Sequence, residues 1–179
     1  MGMHALDLNS AKVSSGTKGV YLEAGNHELE VTDWKVIETR KKGDAFIVDF
    51  KILDSTTHDP GTVRNVYISA SGPAGDMAAE KIKRLLIALS GLHPVADAGK
   101  IASEDWNKLF KASLAKPQLL IGKRVRCNAT KQLKSGSKAL AQQNPSLLEQ
   151  PGFAATAYYL DLHFTPWTQQ KAANDNAQP

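Results

Sequence analysis

Cysteine is nearly absent from this chain: Cys127 is the only one. That excludes an intramolecular disulfide and a cysteine-rich zinc site. No apolar run approaches the ~20 residues of a membrane span. The first residues carry no basic segment followed by an apolar core, so no signal peptide is expected. Leu6 stands where a myristoylation signal needs Ser or Thr. Catalytic signatures are missing as well. There is no G-x-x-x-x-G-K-[ST] phosphate loop and no G-x-S-x-G elbow. His4, His27, His58, His93 and His163 show no metal-ligand spacing, and His58-Asp59 reads as a solvated turn. Asp44, Asp49, Asp54 and Asp59 form no recognisable metal cluster. Ser135-Gly136-Ser137-Lys138 matches S-x-x-K by letter alone. Neither an enzyme nor a cofactor or metal is expected, and a soluble cytoplasmic protein is the default.

What is present points to one domain with tails. The chain has 179 residues, 42% of them hydrophobic and 22% charged, enough to bury a core. A net charge of +4 permits a polyanionic partner without requiring one. Residues 1–18 read as a flexible polar arm, 19–167 as the folded domain, and 168–179 as a disordered tail rich in Gln, Ala and Asn.

Within the domain the apolar period is mostly two. Leu29 and Val31 alternate with Glu28, Glu30 and Thr32. Trp34 and Val36 then take the apolar phase, and this slip near Asp33 predicts a bulge in the first strand. Phe46, Val48, Phe50 and Ile52 form one face of a second strand over 45–53, and 62–69 reads as a third. A helix is predicted over 74–90, with Met77, Ile82, Leu85, Leu86 and Leu89 on its apolar side. A second helix is predicted over 103–114, with Trp106, Leu109, Phe110 and Leu114 inward. The fourth strand is read over 119–130. Ile121, Val125, Cys127 and Ala129 point inward there, and Arg124, Arg126, Asn128 and Thr130 share the outer face. Residues 131–151, with Asn144-Pro145 and Pro151-Gly152, read as a long polar loop before a last strand over 153–166. The expected fold is mainly β with a helical insertion: a five-stranded OB-fold-like barrel with one or two helices between strands three and four. Another half-open barrel or an α+β sandwich could use the same elements.

Two basic loops would then flank one groove. Arg40, Lys41 and Lys42 lie between the first two strands. Lys131, Lys134 and Lys138 lie between the last two, with Arg124 and Arg126 on the strand leading in. Cations so spaced can replace condensed counterions along a phosphate backbone. Trp34, Tyr67 and Tyr159 are the candidate stacking rings, with Trp167 a further one. Tyr158 and Phe164 fall in phase with Leu160 and Leu162 and read as core, as does Trp106.

The run Gly25-Asn26-His27-Glu28-Leu29-Glu30-Val31, followed by a Lys-Lys-Gly hairpin into Phe46-Ile47-Val48-Asp49-Phe50-Lys51-Ile52, resembles the opening of small bacteriophage single-stranded DNA-binding proteins. Ile82-Lys83-Arg84-Leu85-Leu86-Ile87-Ala88-Leu89-Ser90-Gly91 and Leu120-Ile121-Gly122-Lys123-Arg124-Val125 are similar to the same group. The resemblance covers roughly residues 19–166. It implies an OB-fold protein that coats single-stranded DNA in phage replication or recombination, in the host cytoplasm, with RNA as an open alternative. Replication or recombination proteins, and further copies of the chain, are the implied partners. Such proteins often end in an acidic tail, whereas here the tail has Asp175 and Lys171. The competing expectation is a protein–protein interaction module that acts on a host or replication enzyme, since fold does not fix function.

Overall fold

A computed structural model describes residues 21–39, 43–70 and 75–168. Arg40, Lys41 and Lys42, the arm over 1–18 and nearly all of the tail lie outside the described residues. The chain forms β1 (Gly25–Thr39), β2 (Gly43–Ser55), β3 (Val63–Ser69), α1 (Gly75–Leu89), α2 (Ala98–Ser103), α3 (Trp106–Ala115), β4 (Arg124–Leu133), α4 (Ser135–Gln143), α5 (Pro151–Ala157) and β5 (Tyr158–Pro166). The strands make one antiparallel sheet in the order β3-β2-β1-β4-β5.

β1 is long because it serves two neighbours. It pairs with β2 from His27 onward, apart from the bulge at Thr32, and its first half pairs with β4, Gly25 opposite Ala129 and Glu30 opposite Arg124. Acidic side chains crowd β1, with Glu28, Glu30, Asp33 and Glu38, while the chain has no acid between Asp105 and Glu149. The β1–β4 pairing therefore joins an acidic strand to a basic one. The register breaks between Val31 and Asp33, where the slip in apolar phase predicts a bulge. Thr32 is the extra residue there, and its hydroxyl donates to the Asp49 carbonyl at 3.1 Å. At the same point the Val31 backbone N–H turns to the Lys123 carbonyl at 2.9 Å, and the Gly122 N–H donates back to Val31 at 2.8 Å.

The inner faces meet in one core. Leu29, Val31, Phe46, Val48, Phe50, Ile52, Val125 and Cys127 are buried together with Leu85, Leu86 and Leu89 of α1. Phe50 on β2 lies 6.1 Å, ring to ring, from Phe164 on β5, although β1 and β4 separate the two strands in the sheet. Only a strongly curled sheet allows that contact. Among the described residues no strand pairing joins β3 to β5, so the curl leaves a seam between these two edges. The chain just before β1 runs along it. Tyr21 bridges Asn65 in parallel, the Leu22 N–H donates to the Asn65 carbonyl at 3.2 Å, and Leu22 is buried. No helix of the described residues is long and apolar enough to cross a membrane.

Several expectations need correction, beginning with the insertion: three helices, α1 to α3, and not one or two, lie between β3 and β4. Residues 131–151 are not a loop: β4 continues to Leu133, then α4, a 3-10 turn at Pro145–Glu149 and α5 follow. Pro145 and Pro151 open helical segments, where a missing N–H costs nothing. The same two prolines look like breakers when read for turns alone. The last strand accordingly starts at Tyr158. The fourth starts at Arg124, because Pro117–Leu119 is a 3-10 turn and Gly122, at φ 83°, reverses the chain; Ile121 is exposed, not inward. Met77 also faces out, since the core contact of α1 begins at Ala78. His58 is buried rather than solvated, as is His27, its stacked neighbour at 5.5 Å.

Candidate nucleic-acid interface

The sequence-selected residues fall in three different places. Trp34 is in the core. It is 1% exposed and packs edge-on against Phe46 at 4.5 Å and Phe110 of α3 at 6.4 Å. The bulge at Thr32 returns Trp34 to the inner face, so no base can stack on it. That expectation is corrected.

Arg124 and Arg126 do share the outer face of β4, but each has a partner. Register sets Arg124 opposite Glu30 and Arg126 opposite Glu28, and the ion pairs close at 2.8 Å and 3.1 Å. Trp167 covers them: its ring centroid is 5.1 Å from the Arg124 guanidinium and its Nε1–H points to Glu28 Oε2 at 3.4 Å. Arg126 also donates to the Thr168 carbonyl at 3.3 Å. Farther along the same face Lys35 pairs with Asp33, and Asp49 lies 4.0 Å from its ammonium. Cations and carboxylates thus alternate across the outer face, and a phosphate there would have to displace a carboxylate.

The third place is the seam. Tyr67, Tyr159 and Lys134 come together there, joined by Tyr21, Tyr158 and Lys81. The chain has 4 tyrosines in all, and every one lines this groove, whose volume is about 730 Å³. Apolar floor is supplied by Val66, Ile68, Leu160 and Leu162, and among the described residues no carboxylate lines it. Tyr21 is 64% exposed, Tyr67 39% and Tyr159 37%, so ring surface is open to a ligand. The Lys81 ammonium stands 5.7 Å from the centre of the Tyr159 ring. Lys134 is steadied by donating to the Thr156 carbonyl at 2.6 Å. Lys131 borders an adjoining recess, again with Tyr158 and Tyr159. Lys138 is exposed one turn along α4, its N–H on the Lys134 carbonyl.

Local rules explain each placement. Tyr67 points off the outer face of edge strand β3, opposite in phase to buried Val66 and Ile68. Tyr158 and Tyr159 follow α5 directly, so both flank the mouth of the groove, and Tyr158 is half-buried there rather than in the core. Lys81 sits beside the buried stripe of α1. Sequence reasoning missed Tyr21, Tyr158 and Lys81. The Tyr158-Tyr159 pair at a strand start was the available signal; nothing local marks Lys81, because its role depends on where α1 crosses the seam.

His27 and His58 tie the start of β1 to the loop after β2. Ser55 Oγ accepts the N–H groups of Thr57 and His58, both at 3.0 Å. Its own proton therefore goes to His27 Nδ1 at 2.8 Å, and His27 Nε2–H donates to the Glu23 carbonyl at 2.9 Å. His27 is held neutral, and burial pushes its pKa below the ordinary imidazole value. Burial, then the nearby Arg64 guanidinium, lowers that of His58. Among the described residues no group of three or more His, Cys, Asp or Glu side chains is placed to hold a metal ion.

No family model matches the chain, and a search of curated proteins finds no significant match.

Proposed function

We propose that this protein binds single-stranded nucleic acid, DNA in the first instance, without catalysis and with little sequence preference, and that the tyrosine groove is where it does so. The observation that carries this reading is the convergence of all the chain's tyrosines with Lys81 and Lys134 on a groove that no carboxylate of the described residues lines. Every base has a π face, and stacking on a ring contributes ~1–3 kcal/mol per base whatever the sequence. Lysines beside the rings can neutralise the intervening phosphates. A duplex keeps its base faces stacked internally and offers none to the groove. In this reading the curled sheet is an OB-type barrel whose β3–β5 seam, bordered by Tyr21 and Leu22, takes the ligand, and the biological setting is phage DNA replication or recombination.

Labelled oligo-dT and a duplex of equal length, titrated by fluorescence anisotropy across a salt series, test the proposal. The expected result is tight binding of the single strand at low salt that weakens steeply as salt rises. A flat salt response, or equal affinity for the duplex, refutes it. The outer edges of β3 and β5, which among the described residues pair with no further strand beyond the short Tyr21–Asn65 bridge, favour a second reading, a protein module that takes an added strand from a partner; salt-insensitive binding of a protein, with Lys81 and Lys134 dispensable, would support that instead.

A further inference from the structure

One residue lining the groove holds a polar atom without a partner. This is Asn65 of β3, whose side-chain Oδ1 is buried without a hydrogen-bond partner among the described residues. Its backbone, by contrast, is engaged, since its carbonyl accepts the Leu22 N–H. A buried, unsatisfied acceptor costs folding free energy, and folded proteins keep few of them. The position of this one is informative. Asn65 bridges Tyr21 on one side, and Tyr67 lies two residues along the same face of β3. An edge strand advances about 6.5 Å over two residues, so a base lying on either ring brings its edge beside Asn65, whose Oδ1 has no open surface in the free protein and meets the base once the amide swings outward.

The waiting atom also selects the kind of group it can take. Oδ1 accepts only, and Asp49, its cross-strand neighbour on β2, adds negative charge nearby. A phosphate oxygen, itself an acceptor, gains nothing there. An amino or imino N–H on the edge of an unpaired base does. All the common bases carry such a group, on adenine N6, cytosine N4, guanine N1 and thymine N3, so the contact tolerates sequence yet requires a base.

We infer that Asn65 is a base-contacting residue of the groove, its Oδ1 accepting an N–H from a base stacked on Tyr21 or Tyr67. The inference rests on the proposed single-strand function and adds to it that the groove holds bases and not backbone alone. It also predicts an unusual combination. Removing the amide should weaken binding without weakening the free protein, because the free protein loses an unsatisfied group.

The test uses the full chain with Asn65→Leu and, as a shorter β-branched variant that likewise has no acceptor, Asn65→Val. Affinity is measured for oligo-dT and for an abasic strand with the same number of phosphates, and the unfolding temperature of each ligand-free protein is recorded. Loss of one hydrogen bond predicts oligo-dT affinity lower by about fivefold to tenfold for both variants, abasic affinity unchanged, and unfolding temperature unchanged or raised. Unchanged oligo-dT affinity in both variants overturns the inference. Equal losses for oligo-dT and the abasic strand, or lowered unfolding temperatures in both variants, also overturn it, because they make Asn65 a structural residue. If the unsubstituted chain binds no oligo-dT at all, the functional proposal itself fails, a result that no Asn65 variant can produce.

Discussion

Two double substitutions remove the same charge and should behave differently. Lys81→Ala with Lys134→Ala takes two cations from the tyrosine groove; Arg124→Ala with Arg126→Ala takes two from the outer face of β4. Neither groove lysine forms an ion pair among the described residues: one stands over Tyr159 and the other holds a carbonyl. The arginines are neutralised by Glu30 and Glu28 at 2.8 Å and 3.1 Å. On a single strand each phosphate neutralised adds about 0.7 to the slope of log affinity against log salt. Losing the lysine pair should therefore flatten the slope by about 1.4. Over a tenfold range of salt that amounts to a difference of about 25-fold in affinity. The arginine pair should leave the slope nearly unchanged, and its loss should register in stability. Each exposed ion pair contributes ~0.2–1 kcal/mol, so the double variant should lose up to about 2 kcal/mol in urea unfolding. Oligo-dT anisotropy over the salt series, run beside the unfolding curves, measures both. Equal slope changes in the two double variants would mean that net charge alone drives binding. A larger change in the arginine variant would move the interface to the outer face of β4. Either result refutes the placement in the seam.

The His27–His58 pair makes stability depend on acid. Both folded-state pKa values lie below the ordinary 6.5, first through burial. The unfolded chain therefore binds more protons as pH falls through 6.5, and the urea midpoint should be level above that pH and drop progressively below it; a midpoint that rises on acidification contradicts the neutral pair. Gly25→Ala should destabilise by more than about 1 kcal/mol: the backbone is at φ 152°, and a Cβ would come within 2.5 Å of Thr56 Oγ1, which accepts the Asn26 N–H. Thermal unfolding checks it, and wild-type stability would show that the loop yields freely. Cys127, buried in the core with its thiol pushed up to about 12, should resist alkylation in the folded protein and react on unfolding; stoichiometric labelling without denaturant would contradict its burial.

The strands were legible because each is a local pattern. Phe46, Val48, Phe50 and Ile52 mark their own inner face, and the phase slip at Asp33 marks the bulge without reference to any partner strand. The helices over 135–143 and 151–157 were not legible, because Ser-Gly-Ser and two prolines carry the letters of a turn while sitting at helix starts. Among the candidate site residues, Tyr67, Tyr159 and Lys134 do meet in the groove, whereas Trp34 was misread: the bulge showed that the phase changes there but not which face is inner afterwards.

Periodicity of two settled, within the chain's own residues, which side chains of each strand face the same way, including the shared outer face of Arg124 and Arg126. It could not say what lies across from them. Whether an arginine waits for phosphate or is held by Glu28 and Glu30 depends on the register of two strands about a hundred residues apart. Whether four scattered tyrosines are separate or make one surface depends on how far the sheet curls and where α1 crosses the seam. Such relations arise from packing around the common core, and no local run of residues carries them.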